Sequence, residues 1–122
     1  KVVELVRKYS IQDRIIFSSF YERSLRQAKS LLPEVPRALL AWSGWMGYPA
    51  RTWGWRHDYF ALHPFVSDMN AGLVDRLHAT GRRVNTWTVN SEADLKRMIG
   101  LGVDGIFTDD PELALRLIGR GP

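Results

Sequence analysis

The strongest constraint on this chain is a unit written about five times, with strand starts recurring about every 22 residues. Each unit is a short apolar, β-rich run, a polar turn signal, and then a helix with apolar residues at spacings of three and four. Val2, Leu5, Val6 and Tyr9 open the chain in helical rhythm, and Asp13 introduces the first run, residues 14–18. A helix carrying Leu25, Ala28, Leu31 and Leu32 stops at Pro33, before the second run at 38–42. Residues 43–58 break the rhythm with Gly44, Gly47, Pro49 and Gly54 among Trp45, Tyr48, Trp53 and Trp55, which reads as a long aromatic loop with a short helix. The third run, 59–62, ends at His63-Pro64. Ser67 is the expected cap of a helix with Leu73, Val74 and Leu77 inward and Gly81 as its stop. The fourth run, 83–89, leads through Asn90 to Ser91, which forms a variant capping box with Asp94; Leu95, Met98 and Ile99 face inward and Gly102 ends that helix. The fifth run, 104–108, precedes Asp110 as N-cap and Pro111 in the first turn.

Such alternation lays down successive βα units as a parallel sheet, and uniformly apolar short strands are what helix cover demands. Right-handed crossovers leave two architectures, an open doubly wound sheet or part of a TIM (β/α)8 barrel. A whole barrel needs roughly 200 residues or more, so a chain of 122 supplies only part of one.

Composition removes several functions. The chain has no cysteine, so disulfides and thiolate metal sites are unavailable, which suits a reducing compartment and makes the cytoplasm the expected location. Its net charge of +4 comes from Lys and Arg scattered among acids, as on solvated helix faces; no basic run or nucleic-acid motif accompanies them. No apolar run approaches a membrane span. The opening KVVELVRKYS lacks the apolar core and cleavage site of a signal peptide, and with no initiator Met it predicts a start inside a longer protein.

In both architectures chemistry sits at the carboxyl ends of the strands. These are Ser18-Ser19-Phe20, Trp42-Ser43, His63-Pro64, residues 87–90, and Thr108-Asp109-Asp110. The set is thin for a self-sufficient enzyme. Asp109, Asp110 and His63 are the metal-ligand candidates, and Asp110 is already explained as a cap. His63 before Pro reads first as a buried histidine held by one hydrogen bond. Trp87 reads equally as core and as pocket lining. Ser18 and Ser19 have no nucleophile-elbow context, and the glycines of GLGVDG precede a strand, so they do not make a dinucleotide fingerprint.

The segments IIFSSF, ALHP and GRRVNTWTVNSEADLKRMIGLGVDGIFTDDPE, in that order and spacing, resemble the C-terminal part of the glycerophosphodiester phosphodiesterase family. The last segment is the most specific, and the resemblance is weakest over 43–58. It implies a TIM barrel domain over residues 1–122, with the five runs as about strands four to eight. It also implies a phosphoric diester hydrolase of glycerophospholipid metabolism that releases glycerol 3-phosphate and an alcohol, using two histidines and a divalent cation, Mg or Ca. The family's His-Arg-Gly, Glu-Asn-Thr, Glu-x-Asp and Glu-x-Lys motifs are absent here, and His57, His63 and His78 match neither catalytic histidine. The resemblance therefore carries over no catalytic or metal residue, and the 122-residue chain alone is expected to be inactive. What carries over is substrate-binding wall: Trp87, Phe20 and Ser19, with Thr108 and Asp109 as backbone-holding groups. Two alternatives stand beside this reading: a small flavodoxin-like binding domain, and a non-catalytic protein that self-associates through two unpaired sheet edges.

Overall fold

The computed structural model describes residues 1–119. Helix α1 (Val2–Tyr9) precedes strand β1 (Phe17–Ser19), followed by α2 (Glu22–Leu31) and β2 (Arg37–Leu40). A helical excursion containing α3 (Tyr48–Thr52) leads to β3 (Ala61–His63), then α4 (Ala71–Ala79), β4 (Arg83–Thr86), α5 (Glu92–Leu101), β5 (Gly105–Ile106) and α6 (Pro111–Leu117). The five strands form one parallel sheet in the order β1-β2-β3-β4-β5. Each strand therefore pairs only with its neighbours in sequence. A doubly wound sheet reverses its strand order at a switch point, and this sheet has none, which removes the flavodoxin-like alternative.

Strand alternation sorts the side chains to two faces. Leu39, Leu62 and Val84 lie side by side in register and pack with Leu25, Leu73, Leu77, Leu95 and Met98 from the helices in one continuous core. Val6, Leu32 and Val35 form a second, smaller cluster joined by Ile11, Ile15 and Phe17. That cluster explains why the first strand is shorter than its apolar run: Ile15 packs against the cluster formed by α1 and the connection that follows α2, and ladder pairing starts at Phe17.

Several local expectations need correction. The helix after His63-Pro64 is capped by Asn70, whose Oδ1 accepts from Leu73 N–H at 2.9 Å, because residues 66–68 form a 3-10 turn containing Ser67. The fourth run leaves regular pairing after Thr86 and continues as a single bridge between Trp87 and Phe65. Residues 43–58 are mostly helical, with 3-10 turns at Gly44–Gly47 and Gly54–Arg56 flanking α3. The remaining caps stand where the sequence places them. Ser91 Oγ accepts from Asp94 N–H, Asp110 Oδ1 accepts from Leu113 N–H, and Gly102 ends α5 in the left-handed region at φ 76°.

Candidate substrate wall at the strand ends

The face of the sheet turned away from the helices carries Ala38, Leu40 and Ala61 together with a buried polar group. His63 ends β3 fully buried on it, between Ser18 Oγ at 3.0 Å from Nδ1 and Asn85 Nδ2 at 2.9 Å from Nε2. The Asn85 amide donates to Nε2, so the ring proton sits on Nδ1 and is donated to Ser18. Burial lowers the His63 pKa from 6.5 to about 4, leaving the imidazole neutral at physiological pH. Phe107 meets the same ring edge-on at 5.2 Å. Gly105 makes room for the network, since a Cβ there would lie 2.5 Å from Asn85 Oδ1. His63 is thus buried as expected but held by two hydrogen bonds, with its imidazole neutral in place.

One step further along the strands the lining becomes aromatic. Trp87 is half-buried; its indole N–H donates to the His63 carbonyl at 2.8 Å, and its ring stands edge-on to Phe65 at 4.9 Å and Phe20 at 5.9 Å. Phe20 in turn stacks on Trp42, with ring centroids 3.8 Å apart and planes 13° from parallel. Offset and edge-on pairs of this kind hold rings more firmly than apolar area alone. Ser19 Oγ accepts from Tyr21 N–H at 3.0 Å, which leaves its own O–H free to donate.

Trp87 and Phe20 are therefore brought together, whereas Ser19 is in register with Leu39 and by strand alternation turns to the helix side, away from the cluster expected to include it. Reading the strand ends one by one missed that Trp42 and Phe65 complete the cluster. The signal was available for Trp42, an aromatic residue at the end of the strand next to Phe20.

The end of the β4–β5 corner is latched by Asn90. Its Oδ1 accepts from Asp109 N–H at 2.9 Å and Thr108 Oγ1 at 3.3 Å, while its Nδ2 donates to Asp109 Oδ2 at 2.9 Å. Thr108 Oγ1 also accepts from Asp110 N–H at 3.0 Å. Thr108 thus holds backbone, whereas the Asp109 carboxylate holds only the Asn90 side chain. Among the described residues no three His, Cys, Asp or Glu side chains converge as a metal site, so the residues present do not form a cradle for the cation that the family resemblance implies.

This strand-end geometry, on a parallel arc, can now be set beside known proteins. Residues 1–113 match the Glycerophosphoryl diester phosphodiesterase family. The chain belongs to that family. It is 35% identical over 123 residues to a glycerophosphodiester phosphodiesterase of Caldanaerobacter subterraneus subsp. tengcongensis, across 99% of this chain and 49% of that protein. It is 32% identical to a glycerophosphodiester phosphodiesterase of Bacillus altitudinis, across 96% of this chain and 48% of the relative. The chain thus spans about half the length of the curated relatives it matches.

Among solved structures, one from Silicibacter pomeroyi DSS-3, described as a glycerophosphoryl diester phosphodiesterase, superposes with a TM-score of 0.87 at 29% identity, over 96% of this chain and 42% of that one. A phosphodiesterase of Oleispira antarctica, solved in complex with the product sn-glycerol-3-phosphate, gives a TM-score of 0.69 at 28% identity, over 84% of this chain and 41% of that one. These family structures are TIM barrels, and the five-strand sheet is part of one.

Proposed function

We propose that this chain is the substrate-wall portion of a barrel enzyme that hydrolyses glycerophosphodiesters to glycerol 3-phosphate and an alcohol. The observation that carries the reading is Trp87, at the strand end inside the most family-specific stretch, tied to the His63 carbonyl and seated between Phe20 and Phe65. A rigid apolar wall fixes the glycerol and alcohol portions of a substrate, so that its phosphorus is presented in one orientation. The product complex of the Oleispira relative supports glycerol 3-phosphate as the kind of product handled. Proton transfer and phosphoryl charge fall to histidines and a Mg or Ca ion held outside the described residues. His63, neutral and enclosed by hydrogen-bond partners, takes no part in proton transfer.

The test is glycerol 3-phosphate release from glycerophosphocholine by the full-length protein with added divalent cation. Trp87→Ala is expected to lower kcat/KM on the order of tenfold to a hundredfold, mostly through KM, because the wall binds substrate and transition state alike. Trp87→Phe should recover part of the loss. Unchanged kinetics in Trp87→Ala would remove the wall role, and metal-dependent turnover by residues 1–122 alone would overturn the division of labour.

A further inference from the structure

The excursion between β2 and β3 borders a cleft that continues the aromatic wall. Phe20, Leu39, Trp42, Met46 and Trp53 line it, and its volume is about 220 Å³. Both of its walls are present in the arc: one follows β1 and the other follows β2, and these strands are paired neighbours. Phe20 belongs to the wall and to the cleft at once, since its ring stands edge-on to Trp87, stacks on Trp42 and borders the cleft.

The backbone behind the cleft is pinned. Gly47 passes so close to the end of β2 that a Cβ there would lie 1.8 Å from the Trp42 carbonyl oxygen, so only glycine permits the turn. Arg51 donates to the same carbonyl at 3.2 Å and to the Gly44 carbonyl at 2.8 Å, and its ion pair with Asp68 fixes the guanidinium. With the excursion tied at these points, Trp42 is 41% exposed, Trp53 56% and Met46 59%, so the fold itself leaves large apolar side chains of the cleft in water. Such side chains gain most from being covered.

The chemistry of the lining narrows what can cover them. Among the described residues no Lys or Arg lines the cleft, so an anionic group finds no partner there. Glu22 and His57 are its polar side chains, and Glu22 Oε1 is engaged by the Tyr59 hydroxyl, which donates to it at 3.2 Å. A polyol would exchange water for apolar walls with few hydrogen bonds in return. An apolar group gives up nothing polar on entering and covers the exposed rings. Volume sets its size: pockets for whole drug-sized ligands run from about 300 to 1,000 Å³, so this cleft takes part of a ligand.

We infer that the cleft is a leaving-group subsite that selects diesters whose alcohol is apolar, with Phe20, Trp42, Met46 and Trp53 as its specificity-determining residues. The inference rests on the diesterase reading. The carbon chain of the alcohol passes Phe20 into the cleft while Trp87, on the other side of the same ring, holds the rest of the substrate. Because the chain is covered in the ground state and the transition state alike, selection appears in kcat/KM, mostly through KM.

The experiment gives the full-length protein, with added divalent cation, the ethyl and the hexyl diesters of glycerol 3-phosphate. The two alcohols differ in length but hardly in acidity, so the chemical step is matched. Glycerol 3-phosphate release is measured for both. Wild type is expected to favour the hexyl ester in kcat/KM on the order of tenfold or more, from the additional methylenes withdrawn from water. Trp53→Ala and Met46→Ala, each with wild-type circular dichroism, should shrink that hexyl-to-ethyl ratio severalfold. Trp45→Ala, whose ring is 84% exposed and does not line the cleft, should keep it. Should Trp53→Ala fail to fold, Met46→Ala carries the test. A wild-type ratio near one, or a ratio that neither cleft variant lowers, overturns the inference and leaves the diesterase reading in place. So does a ratio that Trp45→Ala lowers as far as Trp53→Ala, which would trace selection to the excursion at large. Release from neither ester overturns the diesterase reading and this inference with it.

Discussion

Leu62 and His63 are consecutive residues of β3, both fully buried, and they are buried for different reasons. Leu62 faces the helices, in register with Leu39 and Val84, where apolar area removed from water is the whole of its contribution. His63 faces the opposite way, into a side of the sheet where Ser18, Asn85 and Phe107 enclose it and hydrogen bonds satisfy both ring nitrogens. The helix-facing side thus carries the fold, while the other side carries a polar arrangement that positions the strand ends. Its position-setting role shows in the Trp87 indole, which hangs on the carbonyl of His63.

The largest effect expected from this contrast is on the apolar side. Leu62→Ala should cost on the order of 4 kcal/mol in urea unfolding, as transfer and cavity terms add for a fully buried side chain in the main core. A loss under about 1 kcal/mol would mean that the helix layer collapses onto the smaller side chain, and that the two faces are less distinct than they look.

His63 comes next, and its effect depends on pH. Its pKa is 6.5 in an unfolded chain and about 4 in the folded one, so on acidification the unfolded chain takes the proton first. The contribution is fully present above about pH 6.5 and is lost as pH falls toward about 4, by roughly 3 kcal/mol. Comparing unfolding of wild type and His63→Asn across that window isolates this slope from those of the carboxylates. Identical pH profiles for the two would show that folding leaves the His63 pKa unshifted, and would make the ring a candidate for proton transfer.

The smallest of the three sits at the rim. Asn90→Ala removes three hydrogen bonds that latch the β4–β5 corner, but Asn90 and Asp109 are exposed and water replaces much of the loss. A stability change of about 1 kcal/mol is expected by thermal unfolding. A loss as large as that of Leu62→Ala would place the mouth, and not the core, among the main supports of the arc.

Much of this was legible beforehand because it is local. The alternation of apolar runs and amphipathic helices, the caps at Ser91 and Asp110, and the stop at Gly102 each depend on a few adjacent residues. Where two local signals competed, the reading slipped. Ser67 and Asn70 are both good caps, and a 3-10 turn over Val66–Asp68 hands the role to Asn70. Strand lengths slipped for a related reason, since Ile15 had the pattern of a strand residue but found its partners in the cluster of Val6, Leu32 and Val35. At the site, Trp87, Phe20 and Trp42 were readable as strand-end residues, but their stacking on one another and the place of Phe65 against Trp87 were not.

Sequence alone determined the βα repeat, the membership of most core positions and the family of the chain, because period, punctuation and motif spacing are properties of contiguous residues. Tertiary structure alone decided that the strands run in simple sequential order and that Ser18 and Asn85 close on His63 from 45 and 22 residues away. It also decided that Phe20 stacks on Trp42, while Trp45 is left facing outward. The physical reason is one of distance. A residue type and its spacing state what a side chain can bond or bury, but which partner reaches it is set by crossovers that bring remote strand ends within a few ångströms.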